Sequence, residues 1–352
     1  MKGGTNDPRH HVLLIEDNPG DATLVGDMLA ELGAHPSRVS WFKLLAEGME
    51  RLREGGIDLV LLDLNLPDSR GVETFTALHK AFPDVPVIVM SGLGEDGVGT
   101  STVKLGAQDY LRKDDLNASL LDRTIRYALE RNSSRQELNR SLAMIRRQNA
   151  VMRAVNRIIQ EAIVCDDEEA LGRVALDVAQ GVTFSAFGWI GEINESGRLQ
   201  TIAISDPGWK ECRIGESESI RTDMIRDMEI CSYWGRVIRT GEAEIVMDPE
   251  SDPDRRGTPE GHPEIRCFMG VPLKRGNDTL GMISLANGNE GYTMEDLEAV
   301  QALAVAFVES LDRLRAETRL KESEEKFRGL TETSSDIVWE MSRNGAFTYC
   351  SR

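Results

Sequence analysis

Acidic, hydroxyl and basic side chains follow apolar runs in the first third of the sequence. Glu16 and Asp17 come after "VLLI", Asp63 after "LVLL", Ser91 after "VIVM", and Lys113 soon after "DYL". If the runs are parallel strands, these residues lie at carboxyl ends of strands, where open α/β sheets place their ligands. Three carboxylates gathered there would repel one another and raise one another's pKa values. Mg²⁺, which prefers oxygen ligands, would relieve that repulsion and leave coordination positions for phosphate oxygens.

With a cation bound, the Asp63 carboxylate is a plausible nucleophile toward phosphorus, which would give an aspartyl phosphate. Phosphoryl transfer depends mainly on positioning and charge neutralisation. Lys113 would supply a mobile positive charge, and the Ser91 hydroxyl can donate to a phosphoryl oxygen. Taken singly, Asp63 and Ser91 could be turn or cap residues and Lys113 a surface charge. Their ordered combination at strand ends favours phosphoryl transfer.

The elements that position these residues lie within 11–130, after an N-terminal tail at 1–10. The runs "HVLLIED", "DLVLLDL", "VPVIVMSG" and "AQDYLRK" predict strands. Amphipathic segments between them predict helices, the first of which, "DATLVGDMLAEL", could be capped by Asp21. This alternation is typical of βαβ units and of an α/β fold with a doubly wound parallel sheet.

The segment 131–160 has the pattern of a long coiled-coil linker helix. The apolar residues that share alternating spacings of four and three are Leu138, Leu142, Ile145, Met152 and Ile159. Asn149 and Asn156 fall at positions equivalent to Leu142, and Asn at such positions fixes the register of a parallel coiled coil at some cost in stability. The alternative is an amphipathic helix that packs on its own domain. We expect a homodimer that forms through this helix and the domain after it.

Residues 150–315 predict a second domain of the α+β class. "DDEEALGRVALDVAQ" predicts a helix, and "FGWIGEI" and "RLQTIAI" predict strands separated by a turn. "RCFMGVPLK" and "TLGMISLAN" predict a hairpin. A long helix follows, with Thr293 as its cap and Asp296 three residues later. This order indicates an antiparallel sheet flanked by helices.

Composition limits the possible functions. The net charge of −18 and the pI near 4.8 argue against nucleic acid as the main partner. The five cysteines are scattered without metal-ligand spacing, which predicts reduced thiols. The N-terminal residues contain no apolar signal region and no run reaches transmembrane length. We therefore expect a cytoplasmic protein with no membrane segment in this chain.

Residues 11–130 resemble the receiver domain of two-component response regulators. The motifs that carry the resemblance are "LLIEDNPGD", "LVLLDLNLPDSRG", "VIVMSG" and "AQDYLRK". The resemblance implies a five-stranded doubly wound sheet and Mg²⁺ as the cofactor. It also implies that Glu16 and Asp17 are the acidic metal pair, that Asp63 is both phosphoacceptor and metal ligand, and that the backbone carbonyl of Asn65 is a further ligand.

The same resemblance implies how the domain would switch. Ser91 would be the switch hydroxyl and Lys113 the lysine that contacts phosphate. Tyr110 would be the switch aromatic, which turns inward on phosphorylation, although it could also be an ordinary edge-strand aromatic. Gly92 departs from the family pattern, in which a small side chain such as Ala is commoner, and this change would affect the dephosphorylation rate.

Residues 150–315 resemble a GAF domain through "FMGVPLKRGNDTLGMISLANGNEGYTMEDLEAVQALA". Members of this family bind small molecules, such as cyclic nucleotides or tetrapyrroles, or serve as dimerising relays. The cyclic-nucleotide pattern is incomplete, because Asn287, Tyr292 and Asp296 are present while the Lys and the final Glu are missing. The ligand and the residues that would bind it therefore stay unknown.

Other residues of the second domain could bind a ligand or could have only a structural role. Cys231 and Cys267 have no adjacent His for bilin attachment, which favours core thiols. His262 could ligate haem or a metal, but a solvated loop histidine is the better interpretation. Trp189, Trp209 and Trp234 could line a pocket or belong to an apolar core.

Residues 316–352 resemble a linker helix and the truncated beginning of a PAS sensor domain. The resemblance rests on "EEKFR" and on a hairpin predicted around Asn344-Gly345. Receiver, GAF and PAS in this order are typical of the front part of a larger signalling protein, such as a hybrid-type sensor histidine kinase. No kinase motif occurs in these residues, so the sequence leaves open whether the parent protein is an enzyme.

These features predict phosphorelay signal transduction. A partner histidine kinase or phosphotransfer protein would transfer a phosphoryl group to Asp63. The linker, as part of one helix from about 116 to 160, would relay the switch to the GAF domain. The alternative is a small-molecule-binding GAF/PAS sensor, the input half of a histidine kinase, whose receiver acts mainly as an interaction domain. The complete acidic cluster weighs against that alternative, because a structural receiver has no reason to keep carboxylates that are costly to bury.

Overall fold

The chain divides into two units, Met1–Met144 and Ile145–Arg352. The computed structural model describes residues 10–31, 38–92, 101–165, 167–205, 227–256, 261–333 and 339–350. Each unit has its own sheet and its own cores.

The first unit alternates strands and helices. Its strands are β1 (His11–Ile15), β2 (Arg38–Phe42), β3 (Leu59–Asp63), β6 (Val87–Ser91) and β7 (Asp109–Arg112), and a two-stranded ribbon of β4 (Asn65–Leu66) and β5 (Ser69–Arg70) follows β3. Its helices are α1 (Pro19–Glu31), α2 (Leu45–Arg53), α3 (Val72–Ala81) and the start of α4 (Ala118–Glu161), with a 3₁₀ turn at Lys113–Asp115. The five long strands form a parallel sheet in the order β2-β1-β3-β6-β7. The predicted doubly wound fold is confirmed.

Alternating side chains of the central strands fill two separate cores. Leu14, Leu61 and Ile88 face a core that includes side chains of α1 and α4. Leu13 and Leu62 face the opposite core, which includes side chains of α2 and α3. Because strands β1, β3 and β6 are buried on both faces, they consist almost entirely of apolar residues. The polar residues at their carboxyl ends are therefore held on a rigid edge.

The second unit contains an antiparallel sheet in the order β10-β11-β12-β8-β9. Its strands are β8 (Ser185–Ile193), β9 (Leu199–Ile204), β10 (Glu244–Val246), β11 (Phe268–Arg275) and β12 (Asp278–Gly288). Its helices are α5 (Glu168–Thr183), α6 (Ser232–Thr240) and α7 (Met294–Thr333). The main core combines apolar residues of α5 and α7 with the sheet, and a smaller core lies under α6. The predicted α+β architecture, including the β11–β12 hairpin, is confirmed.

Helix α4 is one uninterrupted element of 44 residues that continues the last receiver helix into the predicted linker. About a third of the way along α4, the buried Asn132 donates to the carbonyl of Asp84, and Arg135 donates to the carbonyl of Pro83. Near its end, Ala154 and Ile158 are buried in the main core of the second unit. All seven residues of the predicted heptad stripe are exposed, namely Leu138, Leu142, Ile145, Asn149, Met152, Asn156 and Ile159.

Helix caps test two of the sequence predictions. At α7, the backbone N–H of Asp296 donates to the Thr293 hydroxyl, and the backbone N–H of Thr293 donates to the Asp296 carboxylate, which confirms the predicted cap. The prediction of Asp21 as the cap of α1 is wrong, because that helix begins at Pro19, a residue suited to a first helical position. Asn18 takes the capping role by accepting a hydrogen bond from the Gly20 N–H at 2.8 Å.

The C-terminal residues form the predicted hairpin. Strands β13 (Trp339–Met341) and β14 (Phe347–Cys350) pair antiparallel, with Gly345 at a positive φ of 80° in the turn between them. No helix in the described part of the chain combines the length and hydrophobicity needed to cross a bilayer.

Candidate functional site

The predicted site residues converge at the carboxyl edge of the first sheet. Asp63 is the last residue of β3 and Ser91 the last residue of β6, while Glu16 follows β1 directly. Lys113 begins the 3₁₀ turn after β7. Glu16 and Ser91 are 0% exposed and Asp63 is 5% exposed. The strand order places the β3 end between those of β1 and β6, and it therefore makes Asp63 the centre of the site.

Glu16, Asp17 and Asp63 form an acidic cluster. One carboxylate oxygen from each lies within 4.8 Å of the others, and this is the one such group of possible metal ligands among the described residues. Burial raises the pKa of Glu16 to about 7, with a further contribution from the charge of Asp63, although contact with Lys113 opposes the shift. The fold therefore holds Glu16 at a site where its charge is costly without a cation.

The Lys113 ammonium lies among three carboxylates. Its Nζ is 2.7 Å from Glu16 Oε2, 2.9 Å from Asp63 Oδ2 and 3.0 Å from Asp21 Oδ2. Burial disfavours the ammonium, but its contacts with Glu16, Asp63 and Asp21 outweigh that effect and raise the pKa of Lys113. Lys113 is consequently a permanent positive charge beside the Asp63 carboxylate.

Ser91 and Tyr110 contact each other directly. The Ser91 hydroxyl donates to the Tyr110 hydroxyl at 2.7 Å, across the pairing of strands β6 and β7. Tyr110 is half-buried, and its ring packs against the core on the α2 and α3 side. The hydroxyl and the aromatic that the receiver-domain resemblance implies for the switch are therefore one hydrogen-bonded pair.

A cavity of about 340 Å³ opens beside the acidic cluster. It is lined by Asp17, Asn65, Leu66, Pro67 and Arg70. The backbone N–H of Asn65 donates to Asp63 Oδ1 at 3.3 Å, which holds the β3–β4 corner against the carboxylate. The predicted role of the Asn65 carbonyl as a metal ligand stays a prediction. The space is therefore adjacent to the acidic cluster, since Asp17 belongs to both.

The residues present fit a hard divalent cation. The ligand set consists of carboxylate oxygens only, as Mg²⁺ prefers. Oε2 of Glu16 is buried and has Lys113 as an ion-pair neighbour, but it accepts no hydrogen bond of good geometry. A buried charged oxygen without such a bond is stabilised by a bound cation.

Three residues around the site were not predicted by the sequence reasoning. Asp21 contacts Lys113 instead of capping α1. The Trp41 indole N–H donates to the backbone carbonyl of Glu16 at 2.7 Å. Asp68, in the turn between β4 and β5, accepts hydrogen bonds from the backbone N–H groups of Leu45 and Ala46 and so caps α2. All three contacts join residues that are distant in the sequence, so they depend on tertiary packing and no local sequence signal indicated them.

Comparisons with known families match this geometry. Residues 12–125 match the response regulator receiver domain family, and residues 165–311 match the GAF domain family. The first unit contains a response regulator receiver domain, and a GAF domain follows it. The receiver domain thus accounts for the acidic cluster, and the GAF domain for the antiparallel sheet and its helices.

Curated relatives resemble the receiver domain. The swarming motility regulation protein RssB of Serratia marcescens is 30% identical over 113 residues, which cover 32% of this chain and 50% of RssB. The luminescence regulatory protein LuxO of Vibrio campbellii is 34% identical over 100 residues, 28% of this chain and 21% of LuxO. The cell cycle transcriptional regulator CtrA of Caulobacter vibrioides is 36% identical over 102 residues, 29% of this chain and 43% of CtrA. The chain therefore spans half or less of the length of these three relatives.

Solved structures resemble each domain separately. A receiver domain protein from Clostridium thermocellum is 26% identical, with a TM-score of 0.33, and the match covers 35% of this chain and 97% of that chain. The GAF domain of a phosphoenolpyruvate-protein phosphotransferase from Coxiella burnetii is 15% identical, with a TM-score of 0.40, and the match covers 48% of this chain and 96% of that chain.

The GAF residues that match part of the cyclic-nucleotide pattern have internal partners. The Asn287 side chain accepts a hydrogen bond from the Arg266 N–H and donates to the carbonyl of Glu264. The Tyr292 hydroxyl lies 2.9 Å from the hydroxyl of Ser185. Asp296 caps α7, as described above. These contacts stabilise the domain without a ligand.

The other candidate residues of the GAF domain lie in ordinary environments. Cys267 is a buried free thiol and Cys231 a half-buried one. His262 is exposed, and its Nδ1 lies 2.7 Å from the carbonyl oxygen of Pro263. Trp189 and Trp234 pack beside the core under α6, and Trp209 lies outside the described residues. A separate cavity of about 350 Å³ lies between strand β11, helix α7 and residues 241–243.

Proposed function

We propose that the receiver domain accepts a phosphoryl group on Asp63 from a partner histidine kinase or phosphotransfer protein. One observation carries the proposal: the Asp63 carboxylate lies at the centre of an acidic cluster and 2.9 Å from the Lys113 ammonium, beside an open cavity. Carboxylates, a fixed ammonium and a hydroxyl are the groups that phosphoryl transfer to an acidic side chain requires.

The transfer uses Asp63 as the nucleophile. An Asp63 oxygen forms a bond to phosphorus while the P–N bond of a phosphohistidine breaks, and the leaving imidazole nitrogen keeps the electron pair and takes up a proton. Lys113 offsets the negative charge of the phosphoryl oxygens, and Ser91 can donate a hydrogen bond to one of them. Mg²⁺, held by Glu16, Asp17, Asp63 and the Asn65 carbonyl, would supply further charge neutralisation when bound.

Phosphorylation would reach the rest of the protein through Ser91 and Tyr110. A Ser91 hydroxyl that donates to a phosphoryl oxygen must give up its present hydrogen bond to Tyr110. Tyr110 would then change its packing at the β7 edge, close to the turn that leads into helix α4. Since α4 is continuous from Ala118 to Glu161, it offers a direct covalent route for the signal into the GAF domain.

We also propose that α4 pairs with α4 of a second copy. The exposed stripe from Leu138 to Ile159 has the heptad spacing of a parallel coiled coil, with Asn149 and Asn156 at a positions. Burial of this stripe between two copies would remove apolar surface from water, and the GAF domains would be joined in the same dimer.

Incubation of the full chain with acetyl phosphate and Mg²⁺ tests the central proposal. Intact-mass spectrometry should detect one phosphoryl adduct on the unmodified chain and none on Asp63→Asn. Asp27→Asn, which removes an exposed carboxylate from α1, is the matched control and should be modified as the unmodified chain is. Equal modification of Asp63→Asn and the unmodified chain would refute Asp63 as the acceptor.

The second candidate function is a small-molecule sensor in which the receiver mainly binds other proteins. The cavity between β11 and α7 favours it, because polar side chains such as Lys274 and Gln301 line a space large enough for a small ligand. A thermal-shift screen of metabolites against the full chain tests it. Stabilisation of the GAF transition by a metabolite, together with no response of the receiver to Mg²⁺ and acetyl phosphate, would support this function over the first.

We propose that β13 and β14 begin a PAS domain in a larger cytoplasmic signalling protein, as in the input region of a hybrid-type sensor histidine kinase. The paired strands agree with the hairpin expected from the PAS resemblance. Two strands alone are too few for a stable domain, so the hairpin needs further structure to pack against. Limited proteolysis of a longer natural form should protect the hairpin, and rapid cleavage between residues 339 and 350 in that form would contradict the proposal.

A further inference from the structure

Asp21 is the carboxylate at the site that the proposed transfer does not use. Its Oδ2 lies 3.0 Å from Lys113 Nζ, and the two residues are 92 positions apart in the sequence. The other two partners of Lys113, Glu16 and Asp63, belong to the acidic cluster that could hold a cation. Asp21 therefore contacts the same ammonium without belonging to that cluster.

The start of helix α1 explains why Asp21 is available for this contact. Asn18 caps the helix and Pro19 is its first residue, so Asp21 lies in the first turn with no capping role. A carboxylate there is stabilised by the exposed N–H groups of the helix N-terminus. The Asp21 side chain is 36% exposed, compared with 0% for Glu16, and its charge therefore costs less in desolvation.

A cation in the cluster and the Lys113 ammonium compete for the same oxygens. Lys113 contacts Glu16 Oε2 and Asp63 Oδ2, which are also oxygens that a cation could bind. Two positive charges on one carboxylate oxygen repel each other, so Lys113 needs another partner if it is to stay beside Asp63. Asp21 is a carboxylate within reach of Lys113 that the cluster leaves unused.

We propose that Asp21 is a positioning residue for Lys113, and that it holds the ammonium beside Asp63 when a divalent cation occupies the acidic cluster. The inference rests on the proposed phosphoryl-acceptor function, since that function is what requires a cation and Lys113 together. It adds a residue that acts through Lys113 and touches neither the phosphoryl group nor the cation.

Mn²⁺, a divalent cation with a similar preference for carboxylate oxygens, is the probe of choice because its free concentration can be measured by electron paramagnetic resonance. In Asp21→Asn, Lys113 has only the cluster carboxylates to pair with and competes more strongly with the cation. We expect the full-chain Asp21→Asn to bind Mn²⁺ roughly three- to tenfold more weakly than the unmodified chain. Asp21→Glu should recover most of the lost Mn²⁺ affinity. Asp27→Asn, on the exposed part of the same helix, should bind Mn²⁺ within about twofold of the unmodified chain.

The same substitution in a Lys113→Met background separates positioning from simple loss of negative charge. Without the ammonium there is no competitor to release, so Asp21→Asn should weaken Mn²⁺ binding much less there. If Asp21→Asn weakened Mn²⁺ binding equally with Lys113 and with Lys113→Met, or weakened it in neither, the inference would be overturned. The proposed function would be unaffected by that result. An unmodified chain that bound no Mn²⁺ and accepted no phosphoryl group would overturn the proposed function and this inference with it.

Discussion

At the scale of single residues, the site concentrates charge where the fold excludes water. Glu16 is fully buried, Asp63 is nearly so, and the neighbouring ammonium of Lys113 neutralises only part of their charge. Burial of a carboxylate disfavours its charged form, which explains the raised pKa of Glu16. The receiver domain thus gives up stability at this edge, as binding and catalytic sites commonly do.

The stability of the receiver domain should fall with increasing pH through Glu16 when divalent cations are absent. Its pKa is raised from 4.5 to about 7, so the folded chain keeps a proton that the unfolded chain loses. The contribution of Glu16 to the free energy of unfolding is expected in full below pH 4.5 and is lost once the pH has risen through 7, a loss of about 3 kcal/mol. Denaturant unfolding of the unmodified chain and Glu16→Gln between pH 5 and about pH 8 measures the difference in free energy of unfolding.

Glu16→Gln is the control in that experiment because its side chain does not titrate. The free energy of unfolding is plotted against pH for both proteins. The difference between the two slopes gives the contribution of Glu16 alone, because all other carboxylates are common to both. Saturating Mg²⁺ should reduce the pH-dependent loss in the unmodified chain, because a bound cation stabilises the charged carboxylate. Parallel pH profiles for the unmodified chain and Glu16→Gln would contradict the assigned environment of Glu16.

The sequence identified the main site residues, but it did not predict several of the contacts around them. Asp63 and Ser91 follow apolar runs that could be read directly, and β3 and β6 place them as expected. The role of Asp21 could not be read, because its contact with Lys113 depends on where α1 begins. Strand β2 has no continuous apolar run, since as an edge strand it is only partly buried, and the bond from Trp41 to the Glu16 carbonyl was therefore unforeseen.

At the scale of elements, the helices are fixed at their ends by specific polar contacts. Asp167 caps α5, Asp68 caps α2 from another loop, and Asp296 caps α7 while accepting a hydrogen bond from Arg147 of α4. Burial would raise the pKa of Asp296, but its bonds from Arg147 and Thr293 outweigh this and lower it. The sequence predicted the Thr293 cap from local spacing, whereas the Arg147 contact joins residues 149 positions apart.

Asp296→Ala should destabilise the GAF domain by about 1–2 kcal/mol, because it removes the buried carboxylate that accepts from the Thr293 N–H in the capping box and leaves Arg147 without its closest carboxylate. Glu295→Ala removes the neighbouring, exposed carboxylate and should cost less than about 0.5 kcal/mol. Urea unfolding followed by circular dichroism compares the two variants. Equal destabilisation would show that the cap contributes nothing beyond surface charge.

At the scale of the whole molecule, α4 is the element shared by the two units. Residues near Asn132 pack on the receiver domain, residues near Ile158 are buried in the GAF core, and the stripe between them faces solvent. The sequence predicted the stripe from its heptad spacing and one helix from about residue 116 to 160, and the observed helix from Ala118 to Glu161 confirms that continuity. No Gly or Pro occurs between residues 118 and 161, which is consistent with the continuous helix.

Ile145→Lys should weaken self-association of the full chain by at least about tenfold, because it places a charge in the apolar seam of the proposed coiled coil. Met144→Lys is the matched control, since Met144 is also exposed on α4 but lies outside the stripe. Sedimentation equilibrium measures the dimer dissociation constant for each variant. A monomeric unmodified chain, or equal weakening by both substitutions, would contradict dimerisation through this face.

The most direct test of the central claim is to locate the phosphoryl group chemically. Borohydride reduces an aspartyl phosphate to homoserine, so the full chain is treated with acetyl phosphate and Mg²⁺, reduced with borohydride and mapped by peptide mass spectrometry. We predict homoserine at position 63 in the unmodified chain and at no position in Asp63→Asn. Reduction at a different aspartate, or no homoserine in the unmodified chain, would contradict the account of this edge of the sheet as a phosphorylation site.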